Sequence, residues 1–106
     1  MELEMPKVLI SDALSPAAVK IFQERGINVE QKIGLKPDEL MDIIGEYDGL
    51  AIRSATKVTK EILAAANKLR VVGRAGIGVD NVDVPGATAR GVEIVLDVER
   101  RHTLRA

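Results

Sequence analysis

Val71-Val-Gly-Arg-Ala-Gly-Ile-Gly-Val-Asp-Asn-Val-Asp83 opens as a short apolar run, passes through three glycines and an arginine, and re-enters regular structure at Asp83. A buried strand that ends in such a turn belongs to an open α/β fold, where ligands bind outside the carboxyl ends of the strands. Gly73, Gly76 and Gly78 let the backbone approach a ligand closely. Arg74 adds a fixed cation whose planar donor fork suits carboxylate or phosphate. The loop after the preceding strand, Arg53-Ser-Ala-Thr56, has the same character. Two arginine-bearing loops at the ends of neighbouring strands predict an anion site.

The rest of the chain supplies the frame. Lys7–Ser11 reads as a first strand of the β-branched kind buried in parallel sheets. Ser15-Pro16 caps and starts a helix whose inner face is Ala18, Ile21, Phe22 and the stem of Arg25, and Gly26 stops it. Ile27–Gln31 alternates like an edge strand. Pro37 starts a second helix, with Asp38 and Glu39 in its first turn and an apolar stripe at Leu40, Ile43, Ile44 and Tyr47. Asp48-Gly49 turns into a third strand, Leu50–Arg53. Thr59 caps a third helix that buries Ile62, Ala65, Ala66 and Leu69, and Arg70–Gly73 is the fourth strand. Asp83 caps a short fourth helix with Pro85 in its first turn. Gly91 ends that helix, and Val92–Leu96 is the fifth strand.

Alternating strands and helices with short loops predict a parallel sheet covered on both faces and joined by right-handed crossovers. Five strands in this length favour a flavodoxin-like three-layer α/β sandwich, a five-stranded parallel sheet of order 2-1-3-4-5. The 106 residues make one domain, with a core over 6–96 and a polar, arginine-rich tail over 97–106. The tail is expected to be a solvated end, with room for at most a short fifth helix.

Composition narrows the function. A net charge of −1 and a charged fraction of 29% leave no nucleic-acid footprint. The only aromatics, Phe22 and Tyr47, offer no base-stacking platform. Cysteine is absent, which removes disulfide and thiol chemistry and fits a reducing, cytoplasmic setting. No apolar run is long enough to span a bilayer, and no metal-ligand cluster stands out.

The dinucleotide-fingerprint reading fails on its own terms. Starting from Gly76, the pattern G-x-G-x-x-G needs glycine where Asn81 stands. Asp12 ends the first strand, as the acceptor acids of receiver domains do, but Arg53 stands where such a domain needs a second acid. A flavin site would need a hydroxyl-rich first loop and flanking aromatics. Ser54 and Thr56 offer hydroxyl donors to an anion, although Thr56 equally serves as a turn residue. The single histidine, His102, lies in the polar tail with nothing nearby to position it as a base.

Three stretches carry a resemblance: Lys7-Val-Leu-Ile-Ser-Asp12, Tyr47-Asp-Gly-Leu-Ala-Ile-Arg-Ser-Ala-Thr-Lys-Val-Thr59, and Val72-Gly-Arg-Ala-Gly-Ile-Gly-Val-Asp-Asn-Val-Asp83. From about Pro6 to Val95 the chain resembles the N-terminal, substrate-binding part of the D-3-phosphoglycerate dehydrogenases, within the D-2-hydroxyacid dehydrogenases. The resemblance implies NAD-dependent oxidation of 3-phosphoglycerate in serine biosynthesis. It implies that Arg53 and Arg74 are the cationic contacts to a small phosphorylated hydroxy acid, beside which the residue reading sets the Ser54 hydroxyl, and that Ala75, Gly76 and Gly78 face its carboxylate. The family's catalytic and NAD-binding residues belong to a second domain, so it implies no catalytic residue and no cofactor site here. Where the family continues into an Asn-x-Pro crossing segment, this chain reads Leu96-Asp-Val-Glu-Arg-Arg-His-Thr-Leu-Arg-Ala106. The sequence thus suggests a substrate domain standing alone, truncated, designed or reconstructed, with exposed faces that make it a homo-oligomer. The alternative is a structural, self-associating module whose anion loops are relics.

Hydride chemistry resides in the cofactor and in the groups that present it to substrate. The chain alone is therefore expected to show no NAD-dependent oxidation of 3-phosphoglycerate in a spectrophotometric assay. Turnover above blank that Arg74→Ala abolishes would overturn this.

Overall fold

Among the described residues six strands form one sheet of order β2-β1-β3-β4-β5-β6. The computed structural model describes residues 6–24, 26–75, 80–96 and 104–105. In chain order these form β1 (Lys7–Ile10), α1 (Pro16–Glu24), β2 (Asn28–Gln31), α2 (Pro37–Ile43), a 3₁₀ turn (Ile44–Glu46), β3 (Gly49–Ile52), α3 (Lys60–Ala65), β4 (Val71–Arg74), α4 (Val84–Ala89), β5 (Glu93–Leu96) and β6 (Leu104–Arg105). The first five strands are mutually parallel in the expected order 2-1-3-4-5. β6 is an addition. It pairs antiparallel with β5 through Val95↔Arg105 and Leu96↔Leu104, where the sequence pointed to a solvated end or a short helix. His102 and the rest of the tail lie outside the described residues.

The winding reverses once, and that sets the layers. The chain leaves β1 for β2 on one side, then crosses back over β1 to β3 and continues to β4 and β5. Right-handed crossovers in opposite directions land on opposite faces. α1 accordingly packs Val19 and Phe22 against Val8, Ile10 and Ala51 on one face. α2, α3 and α4 bury Leu40, Ile62, Leu63 and Ala87 with Leu9, Leu50, Ile52, Val72 and Ile94 on the other. The two faces are unequally covered: beyond α1, Val71, Gly73 and Val95 stay partly exposed.

Local chemistry sets most helix ends. The Thr59 hydroxyl accepts from the Ile62 N–H at 3.2 Å, and the Asp83 carboxylate accepts from the Gly86 N–H at 3.2 Å. Gly91 follows α4 with φ of 73°, a left-handed conformation that an L side chain resists. The stripe from Leu40 to Tyr47 is less regular than a single α-helix. From Ile44 it tightens to 3₁₀ geometry, and a Cβ on Gly45 would lie 3.0 Å from the Ala65 carbonyl oxygen. The tighter turn brings the chain against the end of α3 while Ile44 and Tyr47 stay buried.

Tyr47 reaches across to the edge strand, donating its hydroxyl to Glu30 Oε1 at 2.5 Å. Lys7 Nζ lies 3.5 Å from Glu30 Oε2 and 5.0 Å from the centre of the Tyr47 ring. The tyrosine hydrogen bond, aided by Lys7 and Lys32, holds the Glu30 carboxyl below its ordinary value of 4.5. Burial, followed by the same bond to Glu30, pushes the Tyr47 phenol well above its ordinary 10.0. A depressed carboxylate stabilises the fold above its unfolded pKa and loses that contribution as pH falls through the folded value. Urea midpoints between about pH 6 and about pH 3 should therefore fall less steeply in Tyr47→Phe than in the wild type. Parallel acid limbs would count against a role for this pair.

Candidate anion site

The ends of β1, β3 and β4 meet at one rim of the sheet. Asp12, just past β1, is 6% exposed, and its carboxylate collects three hydrogen bonds from the loop after β3. Oδ2 accepts from the Arg53 N–H at 2.8 Å and the Thr56 N–H at 2.9 Å, and Oδ1 from the Thr56 hydroxyl at 2.8 Å. The Ser11 and Thr56 hydroxyl oxygens are also 2.8 Å apart. A buried carboxylate is tolerated only when its lone pairs are met, and here backbone and hydroxyl donors meet them. The loop is thereby folded around Asp12, with Arg53 and Ser54 on its exposed side.

The second loop is tied to the first. The Asn81 side chain, in a residue 5% exposed, donates from Nδ2 to the carbonyls of Arg53 and Thr56, both at 2.7 Å. Its Oδ1 accepts from Arg74 Nε at 2.7 Å. The amide has one workable orientation, because a guanidinium can only donate and carbonyls can only accept. Backbone bonds reinforce it: Val58 N–H to Asn81 O at 2.9 Å, and Asp83 N–H to Val58 O at 2.8 Å, around a parallel bridge between Val58 and Val82. The Arg74 side chain is 11% exposed, and its Nη2 lies 3.8 Å from a carboxylate oxygen of Asp80, which is 88% exposed.

The residues expected to hold an anion fall out unequally. Arg53 and Arg74 stand at adjacent strand ends, in the register Ile52↔Arg74. Ser54 is exposed beside Arg53. The Ala75 N–H donates to the Ile52 carbonyl at 2.9 Å, continuing the ladder, so it does not point at a ligand. Gly76 and Gly78 lie outside the described residues. Thr56 serves the loop through Asp12. Sequence reasoning weighed Asp12 only as a phosphoryl acceptor and passed over Asn81. The one signal at Asn81 is a carboxamide three residues past Gly78.

In a dinucleotide cradle the pyrophosphate meets a helix N-terminus directly after the glycines. Here the chain first returns to pair Val82 with Val58, and α4 begins only at Val84. No cluster of three or more metal-ligating side chains occurs among the described residues, and no helix there is long and apolar enough to cross a membrane. A cavity of about 430 Å³ lies at the opposite end of the sheet, between Pro6, Phe22, Asp48 and Arg70, away from both arginine loops.

The family described as "D-isomer specific 2-hydroxyacid dehydrogenase, catalytic domain" matches residues 8–97. D-3-phosphoglycerate dehydrogenase of Homo sapiens is 48% identical over 100 residues, covering 94% of this chain and 19% of the human protein. The Synechocystis enzyme of the same name is 46% identical over 91 residues, 86% of this chain and 16% of that protein. The chain thus spans less than a fifth of the length of these curated relatives. Among solved structures, the NAD⁺-bound 3-phosphoglycerate dehydrogenase of Entamoeba histolytica superposes with a TM-score of 0.78 at 25% identity, over 88% of this chain and 33% of that one.

The Asp12 network makes a direct demand on stability. Asp12→Ala leaves the Arg53 and Thr56 N–H groups without their acceptor, and an unsatisfied buried donor costs about 1–3 kcal/mol. Urea denaturation should show a loss of at least that size. A stability unchanged from wild type would mean that the loop does not depend on Asp12.

Proposed function

Because this chain belongs to the D-isomer specific 2-hydroxyacid dehydrogenase family, we propose that it forms the substrate-anion side of a D-3-phosphoglycerate dehydrogenase site. The observation that carries this reading is the pair of arginines, Arg53 and Arg74, at the carboxyl ends of adjacent strands on loops held by Asp12 and Asn81. Arg53 and Ser54 present a cation and a hydroxyl, and Arg74 presents its terminal amino groups. Two guanidinium forks suit a ligand with an anion at each end, as a phosphorylated hydroxy acid has. Gly76 and Gly78 join this set on the strength of the sequence resemblance. NAD, which accepts the hydride in this reading, is held by residues other than those described. The same reading places the protein in the cytoplasm and in serine biosynthesis.

Exposed charge pairs contribute about 0–1 kcal/mol each. Several of them, less the entropic cost of association, correspond to millimolar affinity, near about −4 kcal/mol. Titration with 3-phosphoglycerate, followed by NMR, should shift the amides of Arg53 and Ser54 and of the turn from Ala75 to Gly78. The shifts should shrink as salt is added, since exposed charges are screened. No shift at tens of millimolar ligand, or equal shifts in an Arg53→Ala, Arg74→Ala double variant, would refute the reading and favour a purely structural module.

A further inference from the structure

We infer that Asn81 is a positioning residue for the anion site, aiming Arg74 while leaving its charge intact. The inference rests on the anion-binding reading above. Arg74 has five N–H donors, and one, on Nε, is taken by Asn81 Oδ1 at 2.7 Å. Fixing Nε fixes the plane of the guanidinium and the direction of both terminal amino groups. Among the described residues those amino groups make one loose contact, Nη2 to Asp80 at 3.8 Å, and Asp80 is almost fully exposed. A ligand anion can displace so weakly held a carboxylate.

Carboxamide chemistry suits this task better than the alternatives. An aspartate in the same place would also accept from Nε, but it would neutralise the guanidinium and set oxygen against the Arg53 and Thr56 carbonyls. An aliphatic residue would leave all three partners unmet. Because one amide touches both loops, it also fixes the Arg53 backbone relative to the Arg74 side chain. Groups held by packed, hydrogen-bonded neighbours lose less freedom when they bind.

The test uses the 106-residue chain. 3-Phosphoglycerate is titrated into the wild type, Asn81→Ala, Asn81→Asp, Arg74→Lys and Arg74→Ala while the Arg74 Nε–H is followed by NMR. The wild-type Nε–H should be protected from exchange with or without ligand. Asn81→Ala should lose that protection and bind about tenfold more weakly, the equivalent of one charge-assisted hydrogen bond. Asn81→Asp should bind poorly at neutral pH and recover relative to wild type as pH falls through the carboxylate range, a profile that simple unfolding does not produce. Arg74→Lys should lose as much as Arg74→Ala, because an ammonium cannot hold Asn81 and a ligand in the same fork geometry. That variant keeps the inference testable if Asn81→Ala fails to fold. Equal affinity in Asn81→Ala and wild type overturns the inference, as does wild-type affinity in Arg74→Lys or a pH-independent ratio in Asn81→Asp. If the wild type binds no phosphoglycerate, the ligand reading fails separately. Nε–H protection lost in Asn81→Ala would then still support positioning, and an unprotected wild-type Nε–H would overturn it.

Discussion

A carboxylate inside the rim of the sheet, Asp12, sets the conditions for everything around it. Desolvating an ionised group without compensation costs several kcal/mol, enough to consume much of a small domain's stability. Asp12 is compensated by the Arg53 and Thr56 N–H groups and the Thr56 hydroxyl, all from one loop. That loop cannot swing away without stranding the charge. A flexible connection after β3 thereby becomes a rigid platform, and the rigidity originates in β1.

Topology explains why the platform sits where it does. The winding reverses between β1 and its two neighbours, β2 and β3, so the connections leaving β1 and β3 depart to opposite faces and open a crevice at that rim. Asp12 ends β1 and Arg53 follows β3, on the two sides of the reversal, while Arg74 closes β4 one strand further on. The buried polar residues among those described, Ser11, Asp12 and Asn81, are collected at this rim, where side chains take over as partners once the strand ladder ends.

Much of the fold was legible because its signals are local. Thr59 and Asp83 cap helices through partners three residues away, and a parallel sheet writes itself as short apolar runs such as Lys7–Ile10 and Gly49–Ile52. Strand order followed from handedness and length. The two arginines were legible as well, being charged residues placed at the ends of apolar runs. Asp12 and Asn81 were not, since partners of theirs lie 44 and 28 residues away, and even the near pair Asn81–Arg74, 7 residues apart, meets only through the fold of the rim. The direction of the Ala75 N–H was not legible for a related reason: whether an amide after a strand faces outward or extends the ladder depends on the neighbour's register. β6 also escaped, because two residues at a polar end carry no period.

The Val58–Val82 bridge bears on how such a site comes into being. It joins the segments after β3 and before α4, with α3 and β4 between them. The β3–β4 ladder joins segments almost as far apart in sequence, with Gly49 opposite Val71, so pairing those strands already bears most of the loop-closure cost and the bridge adds its contacts for little further entropy. Whatever holds β3 against β4 therefore also holds the two rim loops at their spacing, and a change that loosens that ladder reaches the rim without touching a residue in it.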